Sequence, residues 1–365
     1  MGASPCIQTS PTILDASPDS RPQPTRLRRC SVVSDALLAA VFVLAAAVSL
    51  STSWLLVTRL ERVGARFGLS EALLGMLAAL AADAPEITAS VTALAGHHAR
   101  IGAGVVIGSN VFNLAALLGL GAVVAGRIEL HRRVIVLEGA VAMLISVVCL
   151  GVVLGGPGPG IGLLAAGAVL VPYLIVSGVS PARLAHLGLP QSWALWLSQA
   201  LADEDRELEP AIHPPRADAL DMVLAVLATA VVVGASIAME LTASKFGTRH
   251  HIAEIVVGGL ILAGVTSLPN AVAALYLAAR GRGTATLSIA LNSNALNVTA
   301  GLLIPGTLVG LGPPSGQATL VAVWYLGLTA IALACAYSGR GLRRVHGAVV
   351  ICGYLAFVAA VLVAS

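Results

Sequence analysis

Long apolar stretches alternate with short polar connections along the chain from about residue 35 onward. Ten such stretches lie near residues 35–58, 69–96, 101–125, 132–154, 159–180, 218–240, 253–280, 285–310, 317–337 and 346–364. Because an α-helix rises about 1.5 Å per residue, each stretch can cross the roughly 30 Å apolar core of a bilayer. The stretches lack the strict two-residue alternation of a membrane β-strand, which excludes an outer-membrane barrel. The pattern therefore predicts about ten transmembrane helices.

Composition supports an all-α polytopic membrane protein. Hydrophobic residues make up 57% of the chain and charged residues 11%, whereas a typical soluble domain has roughly 25% charged residues. So few charges cannot cover so much apolar surface in water, which excludes a cytosolic enzyme and a nucleic-acid binder. The lipid bilayer of the plasma membrane is the expected environment. The five cysteines form no CxxC pair, so no zinc site or disulfide framework is expected.

Polar segments divide the chain into four parts. Residues 1–33 are rich in Pro, Ser, Thr and Arg and are predicted to be a disordered tail. A cleaved signal peptide is the alternative, but the following apolar stretch of about 22 residues is long for one, which favours a retained first helix. The polar connection 181–217 separates residues 34–180 from residues 218–365, with five apolar stretches on each side.

The basic residues predict the orientation of the chain. With the N-terminus outside, 14 Lys and Arg residues fall on the inner side and 7 on the outer side, and four of those 7 lie in the tail. Because Lys and Arg are enriched in cytoplasmic connections, this bias predicts an outside N-terminus and a cytoplasmic 181–217 loop. The basic tail is the one segment that opposes it.

The two halves repeat each other. When residue n is placed beside residue n+184, identical residues coincide without a gap at the following pairs: Gly75 and Gly259, Pro85 and Pro269, Ser109 and Ser293, Asn110 and Asn294, Asn113 and Asn297. Five helices per repeat is an odd number, so the second copy must enter the membrane in the opposite orientation. Inverted repeats with broken helices are typical of secondary transporters.

Polar residues occur in the middle of four apolar stretches. In the second, Asp83 and Glu86 flank Pro85, which should break the helix because proline removes a backbone donor. Side chains three residues apart share a helix face, and carboxylates inside a membrane face a cavity or a partner. Oxygen ligands of this kind suit a hard cation such as Na⁺ or Ca²⁺. A protonated or helix-capping role for the two acids is the alternative.

The other three stretches add neutral oxygen donors. The third contains Ser109 and Asn113, four residues apart on one face. The repeat mates of both motifs supply Thr266, Ser267 and Asn270 in the seventh stretch and Ser293 and Asn297 in the eighth. Ser and Asn also join transmembrane helices by hydrogen bonds, but the repetition of the whole set favours one shared cation site near the midplane.

These paired motifs resemble the α-repeats of the calcium/cation antiporter superfamily, the sodium/calcium exchanger family. That family's motifs read roughly Gly-Thr-Ser-x-Pro-Glu and Gly-Ser-Asn-x-x-Asn or Asp. The resemblance covers everything after the tail. It implies a ten-helix fold, cation antiport by alternating access, no cofactor, and four cation positions built from helices 2, 3, 7 and 8. It also implies ligand roles for Glu86, Ser109, Asn113, Thr266, Ser267 and Ser293.

Three departures from the family pattern bear on the mechanism. The second acidic ligand of the family is Asn270 here, the acid that some members carry on helix 8 is Asn297, and Asp83 replaces a serine of the first motif. The site therefore carries a charge of −2 if Asp83 and Glu86 are both ionised, enough for one divalent or two monovalent cations. Close carboxylates repel each other, so proton coupling is a serious possibility.

Three function classes follow. The first is a secondary antiporter that moves Ca²⁺, or another cation, against Na⁺ or H⁺; a proton-coupled exchanger of a different cation is its variant. The second is a degenerate membrane protein that keeps the fold without transporting, which Asn270 and Asn297 favour. The third, an intramembrane enzyme with Asp83 and Glu86 as acid and base, lacks a nucleophile motif and leaves the inverted repeat unexplained. Glu138 and Glu240 are expected at helix ends.

Overall fold

The computed structural model describes residues 34–67, 71–178, 190–208, 218–281 and 283–365. Within these residues the chain forms ten helical spans and one two-stranded ribbon. The predicted tail 1–33 lies outside these residues. The spans are Asp35–Arg66 (span 1), Glu71–Ala82 with Ala84–Ala95 (span 2), Ala99–Ala125 (span 3), Arg132–Val153 (span 4), Pro159–Gly178 (span 5), Ala219–Arg249 (span 6), Glu254–Thr266 with Leu268–Ala279 (span 7), Gly283–Leu296 continued to Val309 (span 8), Gly316–Gly339 (span 9) and Arg344–Val363 (span 10). Strands β1 and β2 are Arg127–Glu129 and Gly341–Arg343.

Spans 2 and 7 are bent where the sequence predicts breaks. The two parts of span 2 meet at 53° before Pro85, and those of span 7 meet at 47° before Pro269. Each proline occupies the first turn of the second part, where its missing N–H breaks no helical hydrogen bond. The other eight spans are each long and apolar enough to cross a membrane in one piece.

Spans 3, 7 and 8 also contain π-helical turns, which the apolar pattern of the sequence does not predict. These turns are Leu114–Leu120, Val257–Leu262 and Asn297–Leu303. The first directly follows Asn113 and the third begins at Asn297, so the two motif residues that are repeat mates sit at the same kind of irregularity. Such turns widen a helix locally and occur frequently at functional sites.

Several connections meet on one side of the bundle, here named the strand face. Strand β1, between spans 3 and 4, pairs antiparallel with β2, between spans 9 and 10. Gly283, at the start of span 8, packs so closely on the Glu129 carbonyl that a Cβ would lie 2.2 Å from it. Its repeat mate Ala99 instead packs against Gly312, at the opposite end of span 9, on the side named the far face. Equivalent positions thus lie on opposite faces, as an inverted repeat requires.

Spans 1 and 6 pack along each other and are joined at three levels. At the far face, Asp35 pairs with Arg249 and, at 3.2 Å, with His250. In the middle, the hydroxyls of Ser49 and Ser236 lie 3.2 Å apart. At the strand face, Arg59 and Arg62 contact Asp221 at 2.5 and 3.3 Å. The two spans therefore form one cross-linked pair.

This pair contacts the two bent spans unequally. Span 6 packs along Ala84–Ala95, the far-face half of span 2, whereas its mate span 1 touches Leu268–Ala279, the strand-face half of span 7, only locally. Between spans 3 and 7 the backbones touch on the far-face side, where a Cβ on Gly108 would lie 2.3 Å from the Gly259 carbonyl. Span 6 and the backbone contact of spans 3 and 7 thus close the far-face side of the central spans, while span 1 packs closely on Glu71–Ala82, the strand-face half of span 2.

Two sequence expectations differ from the structure. Span 6 continues to Arg249 instead of ending near residue 240, because Gly247 and the polar residues after Glu240 are compatible with a helix that projects beyond the apolar stretch. Within the 181–217 connection, Gln191–Leu208 is an α-helix that packs against spans 2, 4 and 8, and it buries Ala200 and Leu201. Residues 181–189 and 209–217 of that connection lie outside the described residues.

Candidate cation site

Asp83 and its repeat mate Ser267 occupy the two helix breaks. Their backbone angles are nearly the same, φ −82° and ψ −6° at Asp83 and φ −80° and ψ 0° at Ser267. Each residue is the N-cap of the following helix, yet neither side chain makes a capping hydrogen bond. The helix-capping alternative for Asp83 therefore has no support from its geometry, and both polar side chains are available for other partners.

The Asp83 carboxylate instead reaches across to the other repeat. Its Oδ1 accepts hydrogen bonds from Asn270 Nδ2 at 2.6 Å and from Ser293 Oγ at 2.5 Å. Asn270 and Asn113 both donate to Ser293 Oγ at 3.2 Å. Spans 2, 3, 7 and 8 thus meet in one buried cluster, as the motif positions predict.

Two asparagines form a reciprocal bridge between the repeats. Asn110 Nδ2 donates to the Asn294 carbonyl at 3.0 Å, and Asn294 Nδ2 donates to the Asn110 carbonyl at 3.1 Å. The same symmetry relates two further bonds, from Asn113 to Asn294 Oδ1 at 3.1 Å and from Asn297 to Asn110 Oδ1 at 3.3 Å. All four partners are repeat mates, so a local two-fold axis passes between Asn110 and Asn294.

Many oxygen atoms of this cluster are buried without a hydrogen-bond donor. They are Asp83 Oδ2, both oxygens of Glu86, Ser109 Oγ, Asn113 Oδ1, Ser267 Oγ, Asn270 Oδ1 and Asn297 Oδ1. Every one of these side chains is at most 1% exposed. Buried polar atoms normally have partners, so a group of unpaired oxygens in one place calls for a ligand that accepts electron pairs. Hard cations satisfy oxygen atoms in this way.

The two-fold axis divides the cluster into two unlike halves. In one half, Asp83, Asn270 and Ser293 bond to each other. In the mate half, Ser267 lies beside Glu86 but outside hydrogen-bond geometry. The Glu86 half is therefore the less saturated one. Glu86 also interacts electrostatically with Asp83, three residues before it in span 2.

One predicted residue stays apart from the cluster. The Thr266 hydroxyl donates to the Leu262 carbonyl at 3.0 Å in its own span, so the side chain closes a helical turn instead of facing its partners. Two residues that the structure adds, Asn110 and Asn294, follow the same 184-residue offset, which was the signal that could have identified them. Within the described residues, no three His, Cys, Asp or Glu side chains form a metal-binding group, so neutral oxygens would supply most ligands.

Comparison with known proteins identifies the family of the chain. A family model described as sodium/calcium exchanger protein matches residues 37–180 and 220–363. The chain belongs to this family. CaxA of Alkalimonas amylolytica, which is named as an antiporter, is 36% identical over 84 residues; the match spans 23% of this chain and 26% of that protein.

Two solved exchangers share the fold of the chain. The crystal structure of the H⁺/Ca²⁺ exchanger CAX superposes with a TM-score of 0.66 at 16% identity, over 89% of this chain and 82% of that one. The sodium-calcium exchanger NCX_Mj superposes with a TM-score of 0.56 at 20% identity, over 89% of this chain and 99% of that one. The chain is thus an all-α, multi-pass membrane protein built from two five-helix repeats.

Proposed function

We propose that the chain is a secondary antiporter that moves Ca²⁺ against Na⁺ or H⁺, and that it is not an enzyme. The supporting observation is the group of unpaired, fully buried oxygens around Asp83 and Glu86 at the breaks of spans 2 and 7. Two carboxylates balance the charge of one divalent ion, and serine and asparagine oxygens replace part of its hydration shell.

The proposed ligand set follows the two motifs. It comprises Asp83, Glu86, Ser109, Asn113, Ser267, Asn270, Ser293 and Asn297, with Thr266 contributing through its backbone because its hydroxyl is already bonded. Cations are the substrates of this site, and no cofactor is required.

Alternating access is the proposed transport mechanism. Span 6 packs closely on span 2 toward the far face, while span 1 approaches span 7 only locally toward the strand face. Because spans 1 and 6 are repeat mates, exchanging these two packings would open one face and close the other. The basic connections make the strand face the cytoplasmic one in a plasma membrane, with residues 34–180 and 218–365 as the repeats and residues 181–217 on the cytoplasmic side.

Ion flux in proteoliposomes tests the proposal. Purified protein is reconstituted, and ⁴⁵Ca²⁺ uptake is measured with an outward Na⁺ gradient, with an outward H⁺ gradient, and with neither. We expect uptake that depends on one gradient and is absent from protein-free vesicles and from the Glu86→Gln variant. Uptake of another labelled cation instead of Ca²⁺, driven by the H⁺ gradient alone, would identify the proton-coupled variant. No gradient-driven flux of any tested cation would identify a degenerate, non-transporting protein, which contradicts the proposal.

A further inference from the structure

Glu240 is a buried carboxylate outside the central cluster. It lies in span 6 and is 1% exposed, nine residues before the helix ends near the far face at Arg249. Its Oε1 has no hydrogen-bond partner. Ser236 and Ser244 lie one turn before and after it on the same side of the helix, and both are buried.

The surroundings of Glu240 are largely apolar. The neighbouring residue Met239 packs in a cluster with Ala89 and Ala93 of span 2 and Ile101 and Val105 of span 3. This is the interface at which span 6 closes on the far-face half of span 2. The closed interface therefore encloses a carboxyl group whose Oε1 has no hydrogen-bond partner.

The charges on the packed elements do not neutralise this group by contact. The charged side chains that the structure describes on those elements and on span 6 itself are the following: Asp35, Arg59, Arg62 and Arg66 on span 1, Asp83 and Glu86 on span 2, Arg100 on span 3, Glu254 on span 7, and Asp221, Lys245 and Arg249 on span 6. Among the described residues, only His98, in the turn between spans 2 and 3, interacts electrostatically with Glu240. His98 is itself paired with Glu254 at 3.4 Å, and both side chains are more than two fifths exposed at the far face.

A proton suits this position better than a metal cation. A dehydrated cation requires several oxygen ligands, whereas apolar side chains and two serines surround Glu240. An ionised carboxylate without a partner is strongly disfavoured in such a place. The neutral acid is compatible with the packed interface, and the ionised form is compatible with water, which reaches Glu240 when span 6 leaves span 2.

We propose that Glu240 is a proton-binding site that controls closure of the far face. When the interface between spans 6 and 2 opens, the carboxylate takes one proton from the solution on that side, and only the resulting neutral acid is packed away when the interface closes. Release of that proton accompanies reopening. The inference rests on the proposed alternating access, although the proton involved need not be the one exchanged for the transported cation.

Accessibility of a cysteine beside Glu240 tests this proposal without measuring transport. Ser244→Cys introduces a thiol of nearly the same shape one turn closer to the far face, at a position that is 7% exposed. A membrane-impermeant maleimide is added from the far-face side of reconstituted protein, and the labelling rate is followed from about pH 5 to about pH 8, the range in which a carboxyl group buried away from water changes charge. The chain without Ser244→Cys gives the background of the native cysteines.

The decisive comparison is between Ser244→Cys alone and Ser244→Cys combined with Glu240→Gln. Thiol reactivity itself rises with pH, and the ratio of the two rates removes that effect. We expect the ratio to rise about tenfold or more across this range, since ionised Glu240 favours the open interface whereas glutamine stays neutral. Glu240→Asp keeps a titratable group and should keep the rise.

Two outcomes would overturn the inference. A ratio that stays constant with pH means that Glu240 does not govern closure. Glu254 is a matched exposed acid. If the rise of the labelling rate with pH is lost when Glu254→Gln is added to Ser244→Cys but persists when Glu240→Gln is added, the pH sensitivity belongs to the His98–Glu254 pair. Neither outcome bears on whether the central cluster carries Ca²⁺, because labelling reports the conformation and the flux assay reports the transport.

Discussion

At the scale of single residues, Asp83 lies beside the position at which the family resemblance leads us to expect an acid. The family resemblance places a carboxylate at Asn270, and the chain has one at Asp83 instead. The Asn270 amide donates a hydrogen bond to Asp83 at 2.6 Å, so the Asp83 carboxylate is in direct contact with the side chain at the position where the resemblance expects the acid. A carboxylate at the mate of Ser267 can therefore serve the same pocket from the opposite repeat.

The position of Asp83 in the same pocket predicts that Asp83 and Glu86 are equally important for Ca²⁺ transport. Asp83→Asn or Glu86→Gln leaves a charge of −1 for a divalent ion in a site that water does not screen. We expect each variant to lower ⁴⁵Ca²⁺ uptake by about a hundredfold, which corresponds to the roughly 3 kcal/mol lost when one partner of a buried charge pair is removed. Glu129→Gln, on β1 and 80% exposed, is the matched control and should transport normally.

A double variant separates charge from position. Asp83→Ser with Asn270→Glu restores two carboxylates in the family arrangement and should recover part of the uptake. If the site is proton-coupled, Asp83→Asn should instead remove the pH dependence of flux while cation binding persists. Unchanged uptake and unchanged pH dependence in Asp83→Asn would mean that this carboxylate has only a structural role.

Residue positions in the site were largely predictable because both motifs repeat at one offset. The repeat could identify which residues are equivalent, but not which partner each side chain selects. Thr266 shows this limit, since a hydroxyl can bond to its own helix or to a ligand, and only the backbone geometry decides. Glu240 shows a second limit of the sequence pattern. The apolar stretch ends near residue 240, whereas the helix continues to Arg249.

At the scale of secondary-structure elements, glycines permit spans 3 and 7 to cross in contact. A Cβ on Gly108 would lie 2.3 Å from the carbonyl oxygen and 2.6 Å from the Cα of Gly259. Because these atoms belong to a backbone, they cannot turn aside as a side chain could. The crossing brings the first part of span 7 against span 3, on which Asn110 and Asn113 follow Gly108 within two turns.

Gly108→Ala should therefore destabilise the protein. Overpacking of a tight interior costs about 1–3 kcal/mol, and we expect a thermal midpoint lowered by at least several degrees in detergent, together with reduced transport. Gly264→Ala, in span 7 itself, is the matched control because nothing lies within 4 Å of its added Cβ. Equal midpoints for the two variants would show that the crossing tolerates a methyl group and that its closeness is not required.

Proline and apolar length predicted the bent spans, whereas two other elements could not be foreseen. Two of the three π turns adjoin Asn113 and Asn297, which bond across the repeats, and such tertiary contacts have no local signal in the sequence. The helix Gln191–Leu208 lies in a polar connection, and it buries only a narrow strip that includes Ala200 and Leu201. Such a strip gives weak periodicity among many polar residues.

At the scale of the whole molecule, the inverted repeat places equivalent polar residues on both sides of one local two-fold axis. The strand face and the far face nevertheless carry different numbers of basic residues. The pairing of β1 with β2 assembles basic residues at the strand face, including Arg127, Arg132, Arg343 and Arg344. Basic residues of short connections remain in the cytoplasm during insertion. We therefore expect these connections, and not the central site, to set the orientation of the chain in the membrane.

Cysteine labelling in intact cells checks the resulting orientation. Gln199→Cys, in the helix Gln191–Leu208, and Glu129→Cys, on β1, should react with an impermeant maleimide only after the cells are opened. Arg100→Cys, at the exposed far-face end of span 3, should react from outside in intact cells, and the parent chain gives the background. The basic tail, with four arginines before span 1, is the segment that acts against this arrangement. Labelling of Gln199→Cys from outside would mean that the tail dominates, and the outer and cytoplasmic faces would then have to be exchanged.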